Sequence, residues 1–183
     1  MAGRKEKESA QEQELLIGDD MVVAFHYRLG VVDDEGKVRS WLEDSSGRNP
    51  LLYLHGHGNV VSGLEAALAG KKTGDLVEVT LKPEQAYGMR NPDAIQRLPM
   101  KKVTQKKGQQ KVAPGMIVAL KTKLGQKNAV VVKVGRHTID VDTNHPYAGH
   151  TLHYQIQVAG IRAASAEEIA HGHVHGPDGV QHG

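Results

Sequence analysis

The sequence predicts an α+β chain that is mainly β: an antiparallel sheet wrapped on one short helix and interrupted by a small basic β unit. Three observations predict it. Short β-branched and aromatic runs recur along the chain, and 21 glycines in 183 residues supply turns between them. One segment after residue 59 carries apolar residues at three-and-four spacing. The charge shifts abruptly, since Met89 to Asp142 holds 12 Lys/Arg against three Asp, or +9, which leaves −7 for the remainder of a chain of formal charge +2.

Taken in order, residues 1–20 are polar and charge-dense apart from Leu15-Leu16-Ile17, and read as a mobile or partly helical extension. From Met21, MVVAFHYRLGVV reads as a strand that Asp33-Asp34-Glu35-Gly36 reverses, so a hairpin opens the fold. Leu51 to Leu54 follows as a short strand. Asn59 is then placed to cap a helix whose Val60, Val61, Leu64, Ala67 and Leu68 share one face, with Gly70 as its stop. So short a helix is not stable alone in water, so its apolar face must lie on a sheet. Leu76 to Leu81 is another strand. The basic segment opens helix-poor, with Pro92 and Pro99, and continues in strand-like runs over Met116 to Lys123, Asn128 to Gly135 and His137 to Asp142. His150 to Arg162 reads as a long final strand and Ala163 to Ala170 as a short helical exit.

Composition narrows the chemistry. Without cysteine there are no disulfides, thiolate metal sites or thiol nucleophiles, and any metal must be held by imidazole or carboxylate. No window approaches the ~18 apolar residues of a membrane span, and the first residues lack the apolar run of a secretory signal. A cytoplasmic protein with no membrane contact is expected. The basic segment 93–142 contains no Phe, Tyr or Trp, hence no stacking platform for single-stranded nucleic acid, and specific nucleic-acid recognition is not expected.

Four stretches, in this order and at these separations, carry a resemblance: YLHGHGNVVSGLEAAL (Tyr53 to Leu68), Ala86-Tyr87-Gly88, NHPYAGHTLHYQIQV (Asn144 to Val158) and AHGHVHG (Ala170 to Gly176). With Met21 to Tyr27 and Asp44-Ser45-Ser46 they cover nearly everything after residue 20. The chain resembles the SlyD-type FKBP peptidyl-prolyl isomerases. That resemblance implies an FKBP-like half-open antiparallel sheet around one short helix, with a small β chaperone domain inserted in the flap. It implies a layout of an N-terminal extension (1–20), a discontinuous isomerase domain (21–92 and 143–164), an insert-in-flap chaperone domain (93–142) and a His-rich tail (165–183).

Carried over position by position, the resemblance lines an apolar proline pocket with Tyr27, Leu51 and Tyr53, floors it with Val61 and Leu64, and walls it with Tyr87 and Tyr154. It gives the Val61 N–H and the Tyr87 hydroxyl to substrate carbonyls. Asp44 takes the place of the family's pocket carboxylate, while an alternative alignment puts Ser40 near the pocket. Leu64 stands where many FKBPs have Trp, a smaller floor that should take proline but bind macrolide inhibitors less well. Taken singly, Leu51 or Val61 reads as plain core; the ordered pattern is what favours the pocket.

The insert is implied to hold unfolded or partly folded proteins and proline-containing peptides. Candidate contacts are Met100, Val103, Met116, Ile117, Val118, Val130 and Val132, some of which must form the insert's own core. His171, His173, His175 and His182 form a metal-binding set suited to Ni(II), Zn(II) or Cu(II), with the resemblance pointing to nickel. Metalloenzyme-maturation partners would follow from such a tail. His55, His57, His145, His150 and His153 read as loop or core histidines rather than a second site. Isomerisation requires no cofactor, and nothing demands more than a monomer. The leading expectation is a prolyl isomerase and chaperone; the alternative is a nickel-delivery protein on a weakly active FKBP scaffold, and a third reading is a chaperone with a decayed pocket.

Overall fold

A computed structural model describes residues 14–104 and 110–175, which form two compact units, the first from the described residues of 14–86 and 151–175 and the second from those of 87–150. The first unit holds a five-stranded antiparallel sheet. Its strands are β1 (Met21–Val32), β2 (Val38–Asp44), β3 (Leu51–Leu54), β4 (Leu76–Leu81) and, after the second unit, β9 (Leu152–Ala163). The sheet order is β2-β1-β9-β4, and β3 pairs with the first half of β1, leaving the second half to β2. β1 and β9 are long because each is the other's partner over almost its whole length.

Alternation along β1 sends Phe25 and Leu29 into the core, where α1 (Ser62–Leu68) buries Leu64 and Leu68. Gly63 permits the close approach: a Cβ there would stand 2.6 Å from the Leu81 side chain and 2.9 Å from the Gln85 carbonyl. Asn59 does not cap this helix. Val61 occupies the N-cap position, and the Asn59 side chain instead accepts from the Leu54 N–H at 3.1 Å and donates to the Gly172 carbonyl at 2.8 Å. Residues 14–20 are also more fixed than a mobile extension. Ile17 is buried, its N–H donates to the Lys71 carbonyl at 2.8 Å, and its carbonyl accepts from Gly70 at 2.8 Å.

The second unit is a four-stranded antiparallel sheet of order β5-β8-β7-β6, from β5 (Ile95–Pro99), β6 (Ile117–Thr122), β7 (Gly125–Val134) and β8 (Thr138–Asp142). β5 was not expected in a Pro-bounded stretch; it forms because neither proline falls inside it, Pro92 opening the preceding 3₁₀ turn and Pro99 closing the strand. The unit extends beyond 93–142 to Tyr87 and His150, since its two ends are tied together. Asn91 N–H donates to Asn144 Oδ1 at 2.8 Å, Asn144 Nδ2 to the Asn91 carbonyl at 2.9 Å, and Gly149 N–H to the Gly88 carbonyl at 2.8 Å. The unit has its own core of Val103, Val118, Leu120, Ala129, Val131, Ile139 and Val141.

The chain ends, within the described residues, in α2 (Ala166–His171). Ser165 and Glu168 form a reciprocal capping box at its start, and Gly172 closes it in the left-handed conformation at φ 71°.

Candidate active site

The first unit gathers an aromatic cluster on the core side of β1. Phe25 and Tyr27 lie 5.8 Å apart, Phe25 meets Tyr53 edge-on at 5.7 Å, and Tyr27 meets Tyr154 at 6.4 Å. Cross-strand register explains the set: Phe25 is opposite Leu51 on β3, and Leu29 is opposite Tyr154 on β9. Leu51 and Tyr27 are half-buried, and Leu64 is a buried residue of α1. Val61 stands half-buried at the helix start, where an N–H lies outside the helix's own hydrogen-bond ladder.

The acid that meets this cluster is Glu43, which corrects the expectation for Asp44. The Tyr27 hydroxyl donates to Glu43 Oε2 at 2.6 Å. Asp44, the next residue of β2, faces the other side of the sheet. It lies opposite Arg28 in the register and pairs with its guanidinium at 3.1 Å, while Arg28 also stands 4.1 Å over the Trp41 ring. The Asp44 carboxylate accepts from the Ser46 N–H at 2.8 Å, and the Ser46 side chain, this N–H and the Arg28 charge hold its pKa below the usual range. The irregular register between Leu29 and Gly30 accounts for the offset: Leu29 pairs with Glu43 and Gly30 with Trp41, so Leu42 is the extra residue.

Tyr53 is corrected too. It is 1% exposed, and its hydroxyl shares a hydrogen bond with His55 Nδ1 at 3.0 Å. Burial, aided by the Glu65 charge, pushes its pKa far upward, so it stays neutral and backs the Phe25 ring instead of lining an open pocket. Phe25, not singled out from sequence, shares that role; two residues before Tyr27 on one strand, it was legible from the alternation alone. Ser40 pairs with Val31, beyond the reach of the Tyr27 register. Tyr87 is the first residue of the second unit, stacked on His145 at 4.0 Å and edge-on to Tyr147 at 5.6 Å.

In the second unit the expected client contacts separate into two groups. Val103 and Val118 are buried in the core, with Met100 and Met116 packed against it, so Val103 and Val118 are corrected to structural residues. Ile117 and Val132 are exposed and Val130 is half-buried. A groove of about 540 Å³ runs along β6 and includes Met116 and Ile117 in its lining.

At the tail, His171, His173 and His175 bring their ligand atoms within 4.8 Å of one another. His171 Nδ1 and His175 Nε2 stand 2.9 Å apart, a distance at which one nitrogen must carry a proton that a metal ion would replace. Glu168 organises the turn. Only 2% exposed, it accepts both Arg162 nitrogens at 2.7 and 2.9 Å, the Ser165 N–H at 2.9 Å and the His175 N–H at 3.1 Å. Arg162 beside it pulls its pKa down to about 2. His182 lies outside the described residues. The other histidines do not join this set: His55 meets Tyr53, His57 pairs with Asp20 at 2.7 Å, and His153 bonds Thr80 at 2.8 Å.

The five-stranded antiparallel sheet, the one short helix packed on it and the aromatic cluster on the core side of β1 are the features of an FKBP-type protein. The family model for FKBP-type peptidyl-prolyl cis-trans isomerase matches residues 14–99. The chain is also similar to proteins named FKBP-type peptidyl-prolyl cis-trans isomerase SlyD. It is 40% identical to that of Aeromonas hydrophila over 161 residues (88% of this chain, 72% of the relative). It is 40% identical to that of Pasteurella multocida strain Pm70 over 163 residues (87% and 76%), and 37% identical to that of Escherichia coli strain K12 over 164 (87% and 78%). The chain belongs to the SlyD family of FKBP-type peptidyl-prolyl cis-trans isomerases.

Proposed function

We propose that the first unit isomerises X-Pro bonds at the aromatic cluster, that the second unit, centred on 93–142, holds unfolded segments, and that the histidine tail binds a nickel-type ion. The observation that most supports the catalytic assignment is the Tyr27–Glu43 hydrogen bond, which fixes a phenol on the core side of β1 beside the Tyr154 ring. Amide rotation faces a barrier of about 18–20 kcal/mol because the C–N bond is partly double. A site that grips the proline ring in apolar surroundings and favours the twisted amide lowers that barrier without a nucleophile or general base. The residues assigned to this work are Tyr27, Leu51, Val61, Leu64 and Tyr154, with Glu43 orienting Tyr27 and with Tyr53 and Phe25 as backing; Tyr87 retains the carbonyl-binding role that the family resemblance implies.

Binding of unfolded chain by the second unit raises the concentration of proline sites near the catalytic unit, and effective concentrations of this kind reach millimolar. The surface assigned to it comprises Ile117, Val130 and Val132, with Met100 and Met116 at its margin. Ni(II), Zn(II) or Cu(II) would be held by His171, His173 and His175, with His182 within reach in sequence; imidazole suits each of these ions. The setting proposed is cytoplasmic, with unfolded proteins as clients and metalloenzyme-maturation partners for the tail.

The test is the refolding of a protein limited by a trans-to-cis prolyl bond. The intact chain is compared with a version in which 93–142 is replaced by a short loop, and with Tyr87→Ala. Strong acceleration by the intact chain, lost with the replacement but retained on a proline tetrapeptide, supports the division of labour. No acceleration by any version, with nickel still bound, would leave a metal-binding protein on an inactive scaffold.

A further inference from the structure

The second unit carries a positive field that its own acids do not offset. Of the three acids between Met89 and Asp142, Asp140 is held by the Arg97 fork at 2.7 and 3.0 Å, and Asp142 by Arg90 and Asn144. By contrast, among the described residues no ion pair engages Lys111, Lys121, Lys123 or Lys127, and all four are exposed. Solvated lysines are the ordinary state of a protein surface, so sign alone carries little. Position adds to it.

The groove along β6 is lined by Val112, Met116, Ile117, Ala119, Gln126 and Asn128 among others, and Ile117 is 67% exposed. Lys121 lies opposite Gln126 in the β6–β7 register, as Ala119 lies opposite Asn128 and Ile117 opposite Val130, so Lys121 shares the groove's face at its hairpin end. Lys123 follows in the turn. Lys111 immediately precedes Val112 at the other end. An apolar trough with an unopposed lysine at each end suits an extended chain whose apolar residues are flanked by carboxylates.

We propose that this unit selects unfolded segments in which apolar residues stand beside Asp or Glu, the apolar part seating along β6 and the carboxylates meeting Lys111, Lys121 and Lys123. This rests on the reading that the second unit holds unfolded chain. It adds a substrate class: acidic-apolar segments over basic ones. A phosphate backbone would match the charge but not the Val112-Met116-Ile117 lining, and the segment 93–142 has no aromatic ring to stack a base. Rim charges of this kind act on encounter rate and partner choice and weaken with salt, since the screening length shrinks to about 8 Å at 0.15 M.

The experiment uses the full chain and two fluorescein-labelled, proline-free peptides with one Leu/Val-rich centre, flanked by four glutamates or by four lysines. Binding is followed by fluorescence anisotropy at about 20 mM and about 500 mM salt. The expected result is at least tenfold tighter binding of the glutamate peptide at low salt, a preference that collapses at high salt and is lost in the triple variant Lys111→Glu, Lys121→Glu, Lys123→Glu with its circular dichroism unchanged. Equal, salt-independent binding of both peptides would leave the holding function intact and overturn the acidic preference. Binding of neither would overturn the holding function and the preference together. Displacement of the glutamate peptide by a single- or double-stranded oligonucleotide of higher affinity would reassign the surface to nucleic acid and overturn the proposal.

Discussion

Two neighbouring acids on β2 have opposite fates because a strand turns successive side chains to opposite faces. Glu43 accepts the Tyr27 hydroxyl at 2.6 Å, whereas Asp44 pairs with Arg28 on the other side of the sheet. If the Tyr27 phenol is oriented by Glu43, Glu43→Ala lowers kcat/KM on a proline tetrapeptide by about tenfold, the equivalent of one hydrogen bond of about 1.4 kcal/mol. Asp44→Asn changes it less than about twofold, because Asp44 uses its charge in a solvent-exposed pair with Arg28 on the other side of the sheet. A protease-coupled or NMR-exchange assay of the two variants separates them, and the reverse ranking would return the acid's role to Asp44. The sequence could not choose between the two residues: the choice turns on one extra residue, Leu42, in the β1–β2 register, and a bulge leaves no mark in composition. The ordered motifs carry Tyr27, Leu51, Val61 and Leu64 as pocket candidates, but the depth of Tyr53, 1% exposed, has no mark in them because burial depends on strands far away in sequence.

At the scale of elements, the strands announced themselves through β-branched runs and the helix through its spacing, but ends and caps did not. Asn59 has the chemistry of an N-cap, yet its side chain is taken by Leu54 and Gly172, the second more than a hundred residues away. β5 was hidden because Pro92 and Pro99 read as breakers, whereas Pro92 opens the turn before the strand and pairing with β8 puts Pro99 at its last position. The histidine run was plain in the sequence; that it is held by a buried acid was not. Glu168 ties α2 to β9 through Arg162 and to the tail through the His175 N–H. Its folded pKa of about 2 lies below the ordinary 4.5, so its ionised form favours the folded state. That stabilisation is complete above about pH 4.5 and is lost as pH falls from there toward 2. In metal-free protein with chelator present, Glu168→Gln lowers stability at pH 7 by about 2 kcal/mol, the scale of hydrogen bonds to a charged group. The difference from the parent shrinks as unfolding is repeated at progressively lower pH across that window. A gap of constant size down to pH 2.5 would show that Glu168 acts by shape alone. Nickel affinity, measured by chelator competition at pH 7, falls in the same variant because the main chain of His175 loses its anchor.

For the whole molecule, the charge step near residue 89 and the ordered motifs indicated a division of the chain, and the structure draws it at Ala86/Tyr87 and His150/Thr151. Charge marks where composition changes, whereas the compact unit is closed by neutral links such as Asn91 to Asn144, which carry no compositional signal. Each unit has buried residues of its own, and the second unit's core is small: Ile139 and Val141 are fully buried at its centre, with Leu120 and Val131 close behind. Removing three methyl or methylene groups from such a core, as in Ile139→Ala, costs about 2–5 kcal/mol. A unit of this length has only about 3–10 kcal/mol in hand, at roughly 0.05–0.15 kcal/mol per residue. Ile139→Ala is therefore expected to melt the second unit well below the first, so that amide exchange becomes fast throughout 95–142 while β1 and β9 remain protected. At a temperature between the two transitions, tetrapeptide isomerisation persists and catalysis of protein refolding falls toward that of the loop-replaced chain. Loss of both activities together, with β1 exchanging as fast as β7, would mean that the two cores fold as one cooperative body and that the holding function proposed for the second unit cannot be separated from isomerisation by this route.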